Sequence, residues 1–574
     1  MNFMAKNWQL APTISQEFRE AFPEIHQLIL QLLFNRGLTT QPQIDEFLNP
    51  DYGQDIHDPF LFSAMAKAID KTLTAIVKKE NIVVYGDYDA DGVSSTAVMT
   101  DVLQALGGQV KVYIPFRETE GYGLNLAAVE SLIKEKTNLI ITVDCGIGNA
   151  AEIAALKKGG VTVIVTDHHS QPKVLPDAFA LINPNLKEEK YPFRSLAGCG
   201  VAYKFAQALV LKHRDYPVNQ LTEGFEKWLL DLVAIGTVAD MMPLLGENRT
   251  LVRYGLVVLQ KTKRPGLKQL MSSIEENLAK LNEHSIGFRI APRLNAAGRL
   301  QHANTAYELL VTQAQAEAES LAQQLNATNQ QRQQLTDQIY QEAIKIIGQP
   351  AEAEILAAVG NGWPTGIVGL VAGRLTDRFY RPSLVISRFG GSIIGSGRSI
   401  KEFNITQALQ KCDGYLTRYG GHAQACGFTL KDESAVEPFI EKIKQIFLET
   451  VDIKKIAPAI QIDAVVELAD LNWDFFGQLE QFRPFGEGNP KPIFLAKNLE
   501  VADIQTLGQD KNHLKLLIND ALGKSRKIVG FSFGSWFDKI KKGDKIDLVF
   551  DLDVNEWKGN RELQLKIIDL KLCD

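Results

Sequence analysis

Five short apolar runs, each ending in polar residues, constrain this chain more than any other feature. They are IVVYG (82–86), VKVYIP (110–115), LIITVD (139–144), VTVIVT (161–166) and ALIN (180–183). Runs this rich in Val and Ile are strands buried on both faces, and strands separated by helical stretches join into a mostly parallel sheet covered on both sides. In such a sheet, ligands bind beyond the carboxyl ends of the strands. Chemistry is therefore expected where the runs end: at Asp87-Tyr88-Asp89-Ala90-Asp91-Gly92, at Asp144-Cys145-Gly146 and at Asp167-His168-His169.

The remaining organisation follows from length and pattern. A chain of 574 residues holds three to five compact units at roughly 100–200 residues each. Residues 1–75 read as a helical lead-in and 76–312 as the α/β domain that carries the acidic loops. The stretch 313–350 reads as a connecting helix, because EAESLAQQLNATNQQRQQLTDQIYQEAIKII (317–347) lacks Pro and Gly. A second, glycine-rich α/β unit spans 351–452, with strands near 354–360 and 383–387. Alternating runs such as HLKLLI and KIDLVFDLDV place a small antiparallel barrel at 453–574.

Composition narrows the function. A hydrophobic fraction of 45% and a charged fraction of 23% are globular values, which excludes disordered and fibrous classes. No apolar stretch reaches the ~18–20 residues that span a bilayer, and the start MNFMAKNWQLAPTISQEF lacks a secretory core, so a soluble, cytoplasmic protein without a membrane partner is expected. Five cysteines with no Cys-x-x-Cys pair exclude a disulfide framework and a thiolate zinc site. The net charge of −6 means that any nucleic-acid binding rests on local basic patches.

The acidic loops carry the chemistry. Asp87-x-Asp89-x-Asp91-Gly92 begins like a calcium loop, but Val98 stands where a bidentate Glu is required and a strand precedes it. Capping a helix explains one Asp. Three in five residues repel and raise one another's pKa unless a cation neutralises them. The pair His168-His169 follows Asp167, and LVAIGTVAD (232–240) ends a buried helix on Asp240. Carboxylates and imidazoles without thiolates suit Mn²⁺ or Mg²⁺. More ligands than one ion takes imply two ions, about 3.5–4 Å apart, the arrangement for in-line displacement at phosphorus. Gly523-Lys524-Ser525 resembles the end of a P-loop, but Ile518 stands where the earlier glycine belongs, so no ATPase is indicated.

With these residues assembled, the chain resembles the DHH phosphoesterase superfamily. The resemblance rests on ordered blocks that include VVYGDYDADGVSSTAVM (83–99), TVDCGIGN (142–149), VTDHHS (165–170), LVAIGTVADMMPL (232–244), RIAPRLNAAGRL (289–300), RYGGHAQACGF (418–428) and RPFGEGNPKPIF (483–494). It implies an α/β fold made of a DHH domain with a parallel sheet, a long connecting helix, a DHHA1 domain and an OB-fold barrel. It implies a 5′ to 3′ exonuclease on single-stranded DNA that releases 5′-mononucleotides and acts in repair and recombination, with a single-strand-binding protein and a helicase as possible partners.

Carried over position by position, the resemblance gives Asp91, Asp144, His168 and Asp240 as ligands of one ion, and Asp89 with bridging Asp144 for the second. His169 would contact the scissile phosphate, with Asp87 and Asp167 in support. A turn at Gly420-Gly421-His422, and Ser396 and Arg398 in an exposed loop, would hold the strand backbone. Arg117, Arg293 and Arg299 are candidates for a 5′-terminal phosphate, because guanidinium groups grip phosphate through paired hydrogen bonds. In the barrel, Lys524, Arg526, Lys527, Lys539, Lys541, Lys542 and Lys545 supply cations, and Phe531, Phe533 and Trp536 are stacking candidates. Two rivals remain: a short-oligonucleotide or cyclic-dinucleotide phosphodiesterase, and a non-catalytic replication scaffold.

Overall fold

The computed structural model describes residues 6–519, 525–557 and 559–573, so Gly523 and Lys524 lie outside the described residues. The chain divides into two compact units, Tyr52–Ile456 and a second made of Met1–Asp51 with Ala457–Asp574.

The larger unit begins with the expected sheet. Strands Gln109–Tyr113, Asn81–Tyr85, Leu139–Val143, Thr162–Thr166 and Ala180–Ile182 lie side by side in that order, all parallel. Because strand side chains alternate between faces, the apolar runs feed two cores. Ile82, Val84, Leu139, Ile141, Val143 and Ile164 enter one; Val83, Tyr85, Ile140, Val163 and Val165 enter the other. Each such side chain contributes about 1.5–3 kcal/mol when fully buried. Helix Ala90–Ala105 starts directly after the first acidic loop and is buried along nearly its whole length. It packs within the same core as helices Gly198–Lys212 and Leu230–Ala239.

The connecting helix runs unbroken from Gln315 to Ile347. Beyond it, a second sheet takes the order Leu416–His422, Ala425–Leu430, Ser392–Arg398, Ser383–Phe389 and Leu356–Asn361. Only its last two strands pair in parallel. Two expectations are corrected here. Gly420, Gly421 and His422 end a strand instead of forming a turn, and Ser396 and Arg398 sit half-buried on an inner strand instead of in an exposed loop.

In the smaller unit, strands Phe494–Leu507, His513–Asn519, Ser525–Gly530, Asn560–Leu572 and Lys545–Trp557 close into a five-stranded barrel. Leu514, Leu516 and Ile518 fill its interior at period two. The lead-in expected over 1–75 is divided: residues 1–51 belong with the barrel, and helix Met65–Val77 belongs with the parallel sheet. Strand Asn7–Leu10 pairs in parallel with Ala459–Ile462. Of the candidate stacking rings, Phe531 is exposed, Trp536 is half-buried and Phe533 fills the core.

One buried ion pair holds the sheet domain's helices to the segment before them. Lys204 Nζ lies 2.7 Å from Glu247, with both side chains fully buried, and also donates to the His57 carbonyl at 2.5 Å. Tyr191 Oη donates to the same carboxylate at 2.7 Å. Removing one member of such a pair leaves a buried charge uncompensated, which costs about 3–5 kcal/mol. Lys204→Met should therefore lose stability of that order in a denaturant titration, and Lys204→Met/Glu247→Leu should lose less. A single variant within about 0.5 kcal/mol of wild type, the range of an ordinary surface change, would contradict this account.

Candidate metal centre and guanidinium-lined cavity

The carboxyl ends of three neighbouring strands deliver the acidic groups to one place. Asp89 caps helix Ala90–Ala105, and its Oδ1 accepts from the amides of Asp91 (2.9 Å) and Gly92 (3.0 Å). Asp91, in the first turn of that helix, accepts from the amides of Gly198 (2.7 Å) and Cys199 (2.9 Å) at the start of the next long helix. Asp144 adopts φ +60°, a left-handed conformation that costs a non-glycine residue on the order of 1–3 kcal/mol. Its amide donates to the Thr166 carbonyl at 3.1 Å, and its own carbonyl accepts from Tyr122 Oη at 3.0 Å. Asp240 is the C-cap of helix Leu230–Ala239.

These groups converge with the histidines. His168 Nε2 lies 3.1 Å from Asp144 Oδ1 and 3.6 Å from Asp240 Oδ2. Three sets present ligand atoms within 4.8 Å of one another: Asp91, His168 and Asp240; Asp87, Asp89 and Asp144; and Asp144, His168 and His169. The sets overlap at Asp144 and at His168. Asp87, expected only in support, falls among the groups able to hold an ion. Close approach requires glycine at two points, since a Cβ at Gly198 would sit 2.5 Å from Asp144 Oδ1 and one at Gly236 would sit 2.5 Å from Asp91 Oδ1.

Left to itself, this cluster is electrostatically incomplete. Burial first, and then neighbouring carboxylates, push Asp87, Asp91 and Asp144 above the usual carboxylate range, and Asp240 rises to about 8. Burial lowers His168. Asp87 Oδ1 is buried without a hydrogen bond, although such atoms are almost always satisfied, and Asp144 Oδ1 has the His168 ring, 3.1 Å away, in place of a hydrogen-bond donor of settled geometry. A divalent cation fits this donor set because it supplies the missing positive charge and engages these oxygens.

Asp167 contrasts with them. Its oxygens accept from the amides of Ile147, His168 and His169 and from His169 Nδ1 at 2.8 Å. Burial opposes ionisation, but these donors hold its carboxyl below the ordinary range. Burial likewise opposes charge on His169, yet the Asp167 hydrogen bond and charge raise it to about 9. Asn183 and Asn185 donate to the His169 and His168 carbonyls.

Next to this centre lies a cavity of about 730 Å³ lined by Tyr88 and Tyr122 and by four guanidinium groups, Arg117, Arg299, Arg398 and Arg418, which outnumber the two acidic residues on its wall, Glu118 and Glu120. Among the described residues no carboxylate forms an ion pair with any of the four. Arg299 donates to the Gly366 carbonyl at 3.0 Å, and burial together with Arg117 pushes it down to about 10. Arg117 stands 5.0 Å over the Tyr88 ring. Ser396 and Gly420 also line the cavity, whereas Gly421 and His422 lie exposed at the strand end. Arg293 is tied to Asn326 and the Arg289 carbonyl and does not line this cavity. Sequence reasoning missed Tyr122 and Arg418. Both lack any local pattern, although each falls within a few residues of a singled-out position.

Comparison with known proteins agrees with this architecture. Residues 81–237 match the DHH family N-terminal domain, 352–449 the DHHA1 domain and 462–569 the RecJ OB domain. The single-stranded-DNA-specific exonuclease RecJ of Bacillus subtilis is 37% identical over 99% of this chain and 71% of its own length. The exonuclease of the same name from Salmonella typhimurium is 34% identical over 99% of this chain and 100% of its own. The chain belongs to the RecJ family. The crystal structure of RecJ from Thermus thermophilus in complex with Mn²⁺ superposes with a TM-score of 0.84 at 28% identity, covering 99% of this chain and 80% of that one.

Neutralising one carboxylate should separate charge from fold. In metal-free buffer Asp144→Asn is expected to melt no lower than wild type, because it removes like-charge repulsion. Mn²⁺ at about 100 times its Kd should add about 2.7 kcal/mol to the wild-type protein and far less to Asp144→Asn, read by calorimetry. Equal gains for both proteins would contradict the cluster's role.

Proposed function

We infer that this protein is a single-stranded-DNA-specific exonuclease that hydrolyses phosphodiesters from the 5′ end with two Mn²⁺ or Mg²⁺ ions, releasing 5′-mononucleotides. The observation that carries the reading is the convergence of Asp87, Asp89, Asp91, Asp144, His168 and Asp240 in overlapping ligand sets beside a cavity that offers guanidinium groups to phosphate.

Asp91, Asp144, His168 and Asp240 would hold one ion and Asp89 with Asp144 the other; Asp91, His168 and Asp240 form one of the overlapping sets, and Asp87 joins Asp89 and Asp144 in another. Bound there, the ions supply a water of lowered pKa and stabilise charge on the phosphate oxygens. Asp167 fixes His169 through Nδ1, so that the protonated ring presents its Nε2 hydrogen to a phosphate oxygen. Tyr122 Oη, 3.1 Å from His169 Nδ1, supports the same ring. Arg117, Arg299 and Arg398, with Ser396, anchor the terminal phosphate, which sets the polarity of digestion. Gly420 brings strand backbone to the cavity wall. The barrel, with Arg526, Lys527 and exposed Phe531, offers cations and a ring to single-stranded DNA; this barrel disfavours a small-oligonucleotide enzyme, and the intact acidic set disfavours a scaffold.

The setting we propose is DNA repair and recombination in the cytoplasm, alongside a single-strand-binding protein and a helicase. The five unpaired cysteines fit a reducing compartment. Among the described residues no helix is long and apolar enough to cross a membrane.

The test is digestion of one single strand labelled at either end. With Mn²⁺ the 5′ label should appear first, as a mononucleotide, and EDTA should abolish release. Arg299→Ala should raise KM about 10- to 100-fold for a 5′-phosphorylated strand, the loss of one charge-assisted hydrogen bond worth about 1.5–3 kcal/mol, and much less for a 5′-hydroxyl strand. Release starting at the 3′ end, or persisting in EDTA, would refute the reading.

A further inference from the structure

Helix Thr365–Phe379 has a recess on either side. One is the guanidinium-lined cavity. The other is a groove of about 640 Å³ between this helix and the connecting helix. Gly369 and Arg398 line both recesses, so the two meet at these residues. The groove adds three cations: Arg332 from the connecting helix, and Arg374 and Arg378 from helix Thr365–Phe379; Asp377 is the acidic residue on its wall.

The guanidinium groups of the groove are held and only partly compensated, the nearby Asp337 charge acting on Arg332. Arg332 donates to Asn329 Oδ1 at 2.9 Å, and Arg378 donates to Tyr340 Oη at 3.1 Å. Among the described residues no carboxylate forms an ion pair with either. Arg374 pairs with exposed Asp337 and lies 4.3 Å from the centre of the Tyr340 ring. Both Arg332 and Arg398 act on Arg299 through like charge, which sets them within electrostatic reach of the terminal-phosphate position. The cations therefore form a row from Arg117 and Arg299 through Arg398 to Arg332, Arg374 and Arg378. A single phosphate uses only the first part of that row. Like charges in a recess are relieved by an anion of matching length, and a chain of phosphates repeats its charge at short spacing.

We propose that this groove binds phosphate groups attached beyond the terminal phosphate of the strand, so that the enzyme accepts single strands with a 5′-triphosphate end. The proposal rests on the reading of the adjoining cavity as the terminal-phosphate site. The bond broken is unchanged. Water adds to the phosphorus of the first linkage, its P–O3′ bond breaks and O3′ takes a proton. A nucleoside triphosphate leaves, and the shortened strand keeps a 5′-phosphate.

Two strands of one sequence, ending in a 5′-monophosphate or a 5′-triphosphate, test the idea when KM is measured for each and the released nucleotide is identified by anion exchange. Wild-type protein should hydrolyse both, release nucleoside triphosphate from the second and show a several-fold lower KM for it. Arg374→Ala/Arg378→Ala should raise KM for the triphosphate strand about tenfold, the loss of roughly one charge-assisted contact, while the monophosphate strand changes less than twofold. Arg374→Lys/Arg378→Lys should retain most of the preference. Hydrolysis of the monophosphate strand with refusal of the triphosphate strand, or KM values that move together in the alanine variant, would overturn the proposal alone. Failure of wild type on the monophosphate strand would overturn the nuclease reading and the proposal with it.

Discussion

Buried negative charge at the carboxyl edge of one parallel sheet is the constraint on which the rest depends. Asp87, Asp91 and Asp144 are buried within contact range of Asp89 and Asp240, and removing such charges from water is unfavourable unless opposite charge meets them. The protein meets only part of the demand. Amides of helix Gly198–Lys212 satisfy Asp91, and amides after Asp89 satisfy Asp89. Oδ1 of Asp87 receives no hydrogen bond, and Oδ1 of Asp144 meets the His168 ring at 3.1 Å. What the fold leaves unmet specifies what it binds.

The same logic, with the sign reversed, governs the adjoining cavity. Four guanidinium groups line it without ion-paired carboxylates among the described residues, and burial, with Arg117 beside it, lowers Arg299 to about 10. An anionic cluster that wants cations thus lies beside a cationic cavity that wants anions. A phosphodiester held on divalent ions would satisfy both together. Tyr122 stands between the two, donating to the Asp144 carbonyl on the acidic side and lining the cationic one.

Much of this is legible in the chain itself. Burial on both faces forces near-continuous Val and Ile, so the five strand runs declare themselves, and the strand-end rule then points to Asp87, Asp89, Asp91, Asp144, Asp167 and His168. Ser396 and Arg398 escape correct placement because Gly395 and Gly397 mask their strand. Its neighbours explain the glycines: the Phe428 ring occupies the space of a Cβ at Gly395, and Ile405 and Cys426 crowd the one at Gly397. Strand Asn7–Leu10 has only four residues, and its partner, Ala459–Ile462, comes from the far end of the sequence; nothing local marks it. Tyr122 acts through tertiary contacts with Asp144 and His169, which no spacing reveals.

The most direct test is anomalous diffraction at the manganese edge from crystals of the full chain grown with MnCl₂. The account predicts two peaks roughly 3.5–4 Å apart, with the Asp144 carboxylate between them and His168 and Asp240 on one. A single peak, or manganese bound only away from Asp144, would contradict it.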